Sequence, residues 1–368
     1  MSGPVTAERE APTVPEPTAR QRVSGSLAMS GARRAGQALV PVIAALVVGG
    51  IVLAITGWDP ISVYRLMARE AFGSTSQIES TLGAATPLLF TGLATAIAFR
   101  AGVFNIGVDG SFILGGLAAA WLGALLTGLP AVPLIALCLL IGMVVGAVWS
   151  GPPAILRARL GVDEVVTTLM LNFVAIGIAS WVVNSLLLAK GTANSASKSI
   201  ASQAELPSLG GDVKLGFAIA LAATALYAIV MRFSAAGYEL RMTGLNPAFA
   251  QTVGVPVRRV IVNAMLLSGL VGGLGGAAHA LGVVHRFVDG FSPGYGFTGI
   301  AIALLARNGA IGVVLASILF GALASAGATV QLFSDIPLDI VDVLQGTIMI
   351  FAAVQVVDLR RRLRRQAA

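Results

Sequence analysis

Apolar residues run along this chain in long uncharged blocks, broken by shorter stretches that carry most of the charge. Blocks of about 20 apolar residues are what an α-helix needs to cross the hydrocarbon core of a bilayer. The pattern predicts spans near 38–56, 84–100, 103–123, 130–150, 164–187, 214–232, 259–282, 295–306, 310–331 and 337–357. The eighth is short, and a tilted, broken or re-entrant helix fits it. The expected fold is an all-α, polytopic transmembrane helical bundle of about ten spans in two halves. Long outer loops are expected at 57–83 and 188–213, and a long inner loop at 233–258. Residues 1–36 have no periodic apolar pattern and read as a disordered tail rich in Pro, Glu, Thr, Ser and Ala. The expected organisation is that tail, a membrane domain over 37–358 and a basic tail over 359–368. The first apolar run starts only near Ala38 and no small-residue cleavage site follows it, so no signal peptide is expected.

Composition agrees. The chain is 56% hydrophobic and 11% charged, against about 25% charged in a soluble domain. A net charge of +7 would raise nucleic-acid binding in a soluble protein, but no basic patch here is interleaved with aromatics, so no nucleic-acid partner is expected. The basic residues fix orientation instead. With the N-terminus cytoplasmic, 18 Lys and Arg fall in cytoplasmic segments and 6 outside, which the positive-inside rule favours. Both termini are therefore expected in the cytoplasm.

Catalytic chemistry has little to work with. Cys138 is the single cysteine and lies in an apolar run; His279 and His285 are the two histidines. Neither a disulfide nor a three- or four-ligand zinc site follows from these, and no metal or bound cofactor is expected. Lys190, Lys198 and Lys214 are the lysines, and none sits in a Gly-x-x-x-x-Gly-Lys-Ser/Thr loop. Any energy for transport must come from a partner or an ion gradient.

Polar residues inside the apolar blocks mark candidate sites. Asn105 and Asp109 enter a run between close glycines in 101–111; they share a face if helical, with Arg100 near enough to pair with Asp109. Asp163 is a good N-cap, and Glu164, Thr168 and Asn172 cover an arc of roughly 80° on the helix that follows. That stripe lines a solute path or bonds neighbouring helices. In the inner loop, Asn246 and Pro247 start a short helix and Gly254 with Pro256 stops it. Phe249 and Val253, four apart, form an apolar ridge on it. Gly272 to Gly276 read as a close-packing patch. Asp289 to Gly296 form a turn-rich outer stretch, and Ser334, Asp335, Asp339 and Asp342 lie where acids complement a helix dipole.

At these residues the chain resembles the permeases of ABC importers for ribose-type sugars, nucleosides and branched-chain amino acids. The carriers are AGVFNIGVDGSFILGG at 101–116, GVDEVVTTLMLN at 161–172 and GYELRMTGLNPAFAQTVGV at 237–255. The first two look closest to the nucleoside and simple-sugar branch; Asp163 departs from the Asn expected there. The resemblance implies a subunit of the bacterial cell membrane that is not itself an enzyme. It implies a partner ABC ATPase using ATP and Mg, a second permease, paralogous or identical, and an external substrate-binding lipoprotein. It implies a cytoplasmic coupling helix carried by Gly244, Asn246, Pro247, Phe249, Ala250, Val253 and Gly254. Asn105, Asp109, Glu164, Thr168 and Asn172 remain candidates for pathway or gating. An ion-coupled secondary transporter stays open as the alternative, and a branched-chain amino acid as the alternative solute.

Overall fold

The computed structural model describes residues 40–189, 195–211, 213–333 and 339–366, nearly all of them helical. The expected tail at 1–36 lies outside these residues, as do Ser334 and Asp335. Two helices open the chain, α1 (Val40–Ile55) and α2 (Pro60–Phe72). The first membrane-length elements are α3 (Thr75–Arg100), α4 (Val108–Leu125) and α5 (Ala131–Trp149). A short α6 (Gly151–Ile155) prolongs α5 and widens into a π turn at Leu156–Leu160. Then come α7 (Glu164–Val182), with a π turn to Leu187, and α8 (Leu215–Phe233). Two short helices, α9 (Ala235–Leu245) and α10 (Pro247–Thr252), lead into α11 (Val257–His279), which ends in a π turn at Ala280–Val284. The chain closes with α12 (Tyr295–Leu305), α13 (Ala310–Phe333) and α14 (Asp339–Gln366).

Among the described residues, 7 helical stretches are long and apolar enough to cross a membrane. The protein is thus a polytopic helical membrane protein. The short eighth block is α12, 11 residues long. At 1.5 Å per residue it covers about 16 Å, roughly half a hydrocarbon core. Three expectations are corrected. The outer loop at 57–83 is mostly helix, because Asp59 caps α2 and Ser74 caps an α3 that begins nine residues before the apolar block. The third block begins at Val108, not 103. The inner loop holds α9 as well as the expected short helix.

Burial separates six of the seven long helices into two kinds, with α13, at 44%, between them. The apolar windows of α3, α4 and α11 are 78%, 72% and 67% buried, while those of α5, α7 and α8 are 22%, 22% and 28% buried. The buried group is rich in Gly, Ala and Thr; the outer group turns Val144, Val148, Phe173, Trp181, Leu226 and Ile229 outward. In lipid, large apolar side chains gain little by leaving the hydrocarbon, and small ones let backbones touch. At the centre they do touch. A Cβ on Gly273 of α11 would lie 2.1 Å from the Gly142 carbonyl of α5, which supports the packing reading of this glycine patch.

One end of the bundle is crossed by residues 195–211 and 213–215. The Ser197 amide donates to Phe287 (2.8 Å), Ile200 to His285 (2.9 Å) and Leu206 to Leu281 (2.9 Å). A small hairpin of β1 (Ser208–Gly210) and β2 (Val213–Lys214) finishes the crossing. Helices α9 and α10 lie at the opposite end, between the C-terminus of α8 and the N-terminus of α11.

Candidate functional site

Between α3 and α4 the backbone leaves the helix. Gly102 takes a left-handed φ of 76°, residues 103–106 are irregular, and α4 starts at Val108. An irregular stretch between buried helices must find partners for its backbone. The polar stripe of α7 supplies them. Glu164 Oε1 accepts from the Phe104 amide (3.3 Å), and Thr168 Oγ1 accepts from the Ile106 amide (3.2 Å). Asn172 Oδ1 accepts from the Gly110 amide (2.9 Å), while its Nδ2 donates to the Ile106 carbonyl (2.9 Å). The geometry explains the spacing. Four residues of helix advance about 6 Å and two residues of extended chain about 6.6 Å, so Glu164 and Thr168 meet alternate amides.

The N-terminal end of the stripe is anchored as well. Asp163 caps α7 by accepting from the Val165 and Val166 amides, as expected. Glu164 Oε2 also pairs with Arg157 Nε at 3.0 Å, and Thr168 Oγ1 donates to the Glu164 carbonyl at 2.6 Å. Glu164, Thr168 and Asn172 are all buried.

Asn105 and Asp109 do not share a helical face, because Asn105 precedes the helix. Asn105 Oδ1 accepts from the Gly107 amide (2.9 Å) and its Nδ2 donates to Ser268 Oγ on α11 (3.0 Å). Asp109 Oδ1 accepts from Ser292 Oγ (2.7 Å) and from the Gly296 amide at the start of α12 (2.9 Å). The expected Arg100–Asp109 pair is also corrected. Arg100 turns to the α12–α13 corner, where its Nε and Nη2 donate to the Asn308 carbonyl at 3.1 and 3.0 Å. Tyr227 of α8 donates to the same carbonyl at 2.8 Å. Arg307 and Asn308 hold left-handed φ values of 49° and 57°, a costly conformation that these bonds fix.

The short helix α10 forms as its capping residues require. The Asn246 side chain accepts from the Phe249 amide (3.0 Å), Pro247 opens the helix, and Gly254 takes φ 86° just past its end. Ala250 is buried, whereas Phe249 and Val253 are 50% and 51% exposed. Gly244 joins this unit to the α3–α4 turn. A Cβ there would lie 2.1 Å from the Arg100 carbonyl and 3.1 Å from the Gly102 nitrogen, so only glycine permits the approach. The three sequence motifs thus converge on one turn. Arg157, Ser268, Ser292, Tyr227 and Asn308 complete the arrangement. Ser268, Ser292, Tyr227 and Asn308 lie 81 or more residues from the groups they bond, and nothing local marks such partners; Arg157 lies seven residues before Glu164, where its basic charge was the available signal.

This is the frame of a polytopic membrane protein, and the comparisons give its family. The family model described as "Branched-chain amino acid transport system / permease component" matches residues 77–353. The chain belongs to this permease family. It is similar to a glucose ABC transporter permease protein of Haloferax volcanii, 37% identical over 86% of this chain and 86% of that protein. A guanosine ABC transporter permease protein of Bacillus subtilis is 34% identical over 87% of this chain and 94% of its own length. A nucleoside ABC transporter permease protein of Lactococcus lactis subsp. cremoris is 33% identical over 86% and 91%. The protein is a multi-pass permease component of the cell membrane, not an ATPase.

Proposed function

We propose that the chain is the membrane-spanning subunit of an ATP-driven importer for a nucleoside or simple sugar, docked through α10 on a separate ABC ATPase. The observation that carries the docking is the capped six-residue helix with its apolar ridge turned outward. Such a helix is marginal alone, and burying a Phe side chain contributes roughly 1.5–3 kcal/mol. A cleft on the ATPase supplies that burial, and the partner supplies ATP and Mg. The names of the relatives at 33–37% identity favour a nucleoside or sugar over a branched-chain amino acid. The complex includes a second permease, identical or paralogous, and an external substrate-binding lipoprotein. Both termini and α10 face the cytoplasm in this reading, in keeping with the basic residues.

The contact of Gly244 with Arg100 and Gly102 gives the docked helix a lever. Movement of α10 presses on the α3–α4 turn, which Glu164, Thr168 and Asn172 tie to α7 and Asp109 ties to α12. Asn105, Asp109, Glu164, Thr168 and Asn172 thereby gate the pathway by holding this turn. The test is Phe249→Asp. The variant should insert normally but lose both the co-purified ATPase and uptake of labelled guanosine and glucose. Retained assembly with full uptake overturns the docking.

A further inference from the structure

At the end of the bundle opposite α10 lies an open cavity of about 400 Å³ that the motifs do not touch. Volumes of roughly 300–1,000 Å³ are usual for small-molecule sites. Its lining divides by chemistry. Gly83, Ala84 and Pro87 of α3, with Val283, form an apolar wall; Glu79, Ser80, Lys214, His279, His285 and the Tyr295 ring supply polar, charged and aromatic groups. His279 is 8% exposed, and its Nδ1 has no hydrogen-bond partner. His285 Nδ1 is buried and unpartnered as well. A buried polar atom left without a partner is costly to the fold.

The surroundings hold these imidazoles firmly. The ring of His279 packs edge-on against Phe291 at 5.2 Å and Tyr295 at 5.4 Å between centroids. His285 is fixed in the left-handed region at φ 55°, its amide bonded to Ala280 and its carbonyl to the Ile200 amide, both at 2.9 Å. Between them α11 widens into the π turn, a distortion frequent at functional sites.

We propose that this cavity is a binding site within the permease for a hydroxylated sugar ring, either a free sugar or the ribose of a nucleoside. The inference rests on the importer reading above. Lys214 Nζ can donate to the hydroxyls of such a ring and the imidazole rings of His279 and His285 bound it, while its C–H face lies on the α3 wall. Binding here would place the solute above α12 and the Asp109 anchor, at the far end of the lever from the ATPase.

The test fills the cavity from its apolar wall. A Cβ on Gly83 meets no atom within 4 Å, and the same holds for Gly177 on the lipid-facing side of α7. In the complete transporter, Gly83→Phe should co-purify with the ATPase yet lower uptake of labelled guanosine, ribose and glucose about tenfold or more. Gly177→Phe should assemble and transport as wild type. Should Gly83→Phe fail to assemble, Lys214→Gln is read instead, with a raised KM expected and Vmax retained. Loss confined to guanosine assigns the ring to a nucleoside; loss confined to ribose or glucose assigns it to a free sugar. Full uptake of every probe by the assembled Gly83→Phe complex, or an unchanged KM in Lys214→Gln, overturns the site while leaving the α10 docking intact. Loss of the ATPase in Phe249→Asp is a separate outcome that bears on docking alone.

Discussion

The α3–α4 turn and the cavity at the opposite end are both polar regions set inside an apolar bundle, yet they treat their polar atoms differently. At the turn, Glu164, Thr168, Asn172, Asn105 and Asp109 each bond to a named group of this chain. In the cavity, His279 and His285 each keep a ring nitrogen without a partner. A satisfied buried network fixes structure, because breaking it leaves desolvated atoms behind. An unsatisfied group beside open volume costs stability and keeps its bonding capacity for something else. The same residue classes therefore carry opposite meanings, and mutation separates them: losses at the turn should appear in folding, losses in the cavity in solute affinity.

The largest effect is expected where one side chain holds two backbone groups. Asn172→Leu removes the partners of the Gly110 amide and the Ile106 carbonyl. At about 1–3 kcal/mol for each buried unpaired group, thermal unfolding in detergent should fall by several degrees. An unchanged midpoint would show that the turn is held elsewhere. Gly244→Ala comes next. Its methyl would overlap the Arg100 carbonyl, and overpacking of this kind costs about 1–3 kcal/mol. Because the strain falls between α10 and the turn, uptake should drop while the ATPase still co-purifies; normal uptake would remove Gly244 from the lever. Smaller again is Asp109→Asn, which keeps an Oδ1 acceptor for Ser292 and Gly296. Stability should change by about 1 kcal/mol or less, whereas uptake measured at equal abundance should fall if the charge takes part in gating.

How much of this was legible in the sequence depended on whether the signal was local. The block at 164–187 matches its helix end to end because block length is read directly. Asn246, Pro247 and Gly254 marked α10 because capping is a matter of adjacent residues. Helix α2 was missed: its buried Val63, Met67 and Ala71 recur every four residues among charged neighbours, so no continuous apolar run announces it. The stripe Glu164–Thr168–Asn172 was visible, but its partner was not, since backbone amides carry no sequence signature. Arg100 and Asp109 were misread as a pair because nearness in sequence cannot foresee that Asn308, 208 residues on, offers Arg100 a carbonyl. The cavity left only two histidines six residues apart as its trace.

The smallest expected effect on stability is the sharpest probe of the contrast. His285→Asn removes an imidazole whose Nδ1 has no partner. Asn also tolerates the left-handed φ of 55° seen there better than most residues. No hydrogen bond to the imidazole Nδ1 is lost, so the unfolding midpoint should shift by about 0.5 kcal/mol equivalent or less. The backbone bonds to Ala280 and Ile200 do not involve the side chain and should persist. The shorter amide withdraws from the cavity lining, however, and a bound sugar ring would lose the imidazole wall. Uptake by the complete transporter should then show a raised KM for guanosine or ribose at unchanged Vmax. The turn behaves in the reverse sense: Thr168→Val should lower the unfolding midpoint by about 1–3 kcal/mol equivalent and leave KM alone. If His285→Asn instead destabilises the protein while KM stays fixed, the imidazole has a structural partner. The two regions would then be built on the same plan.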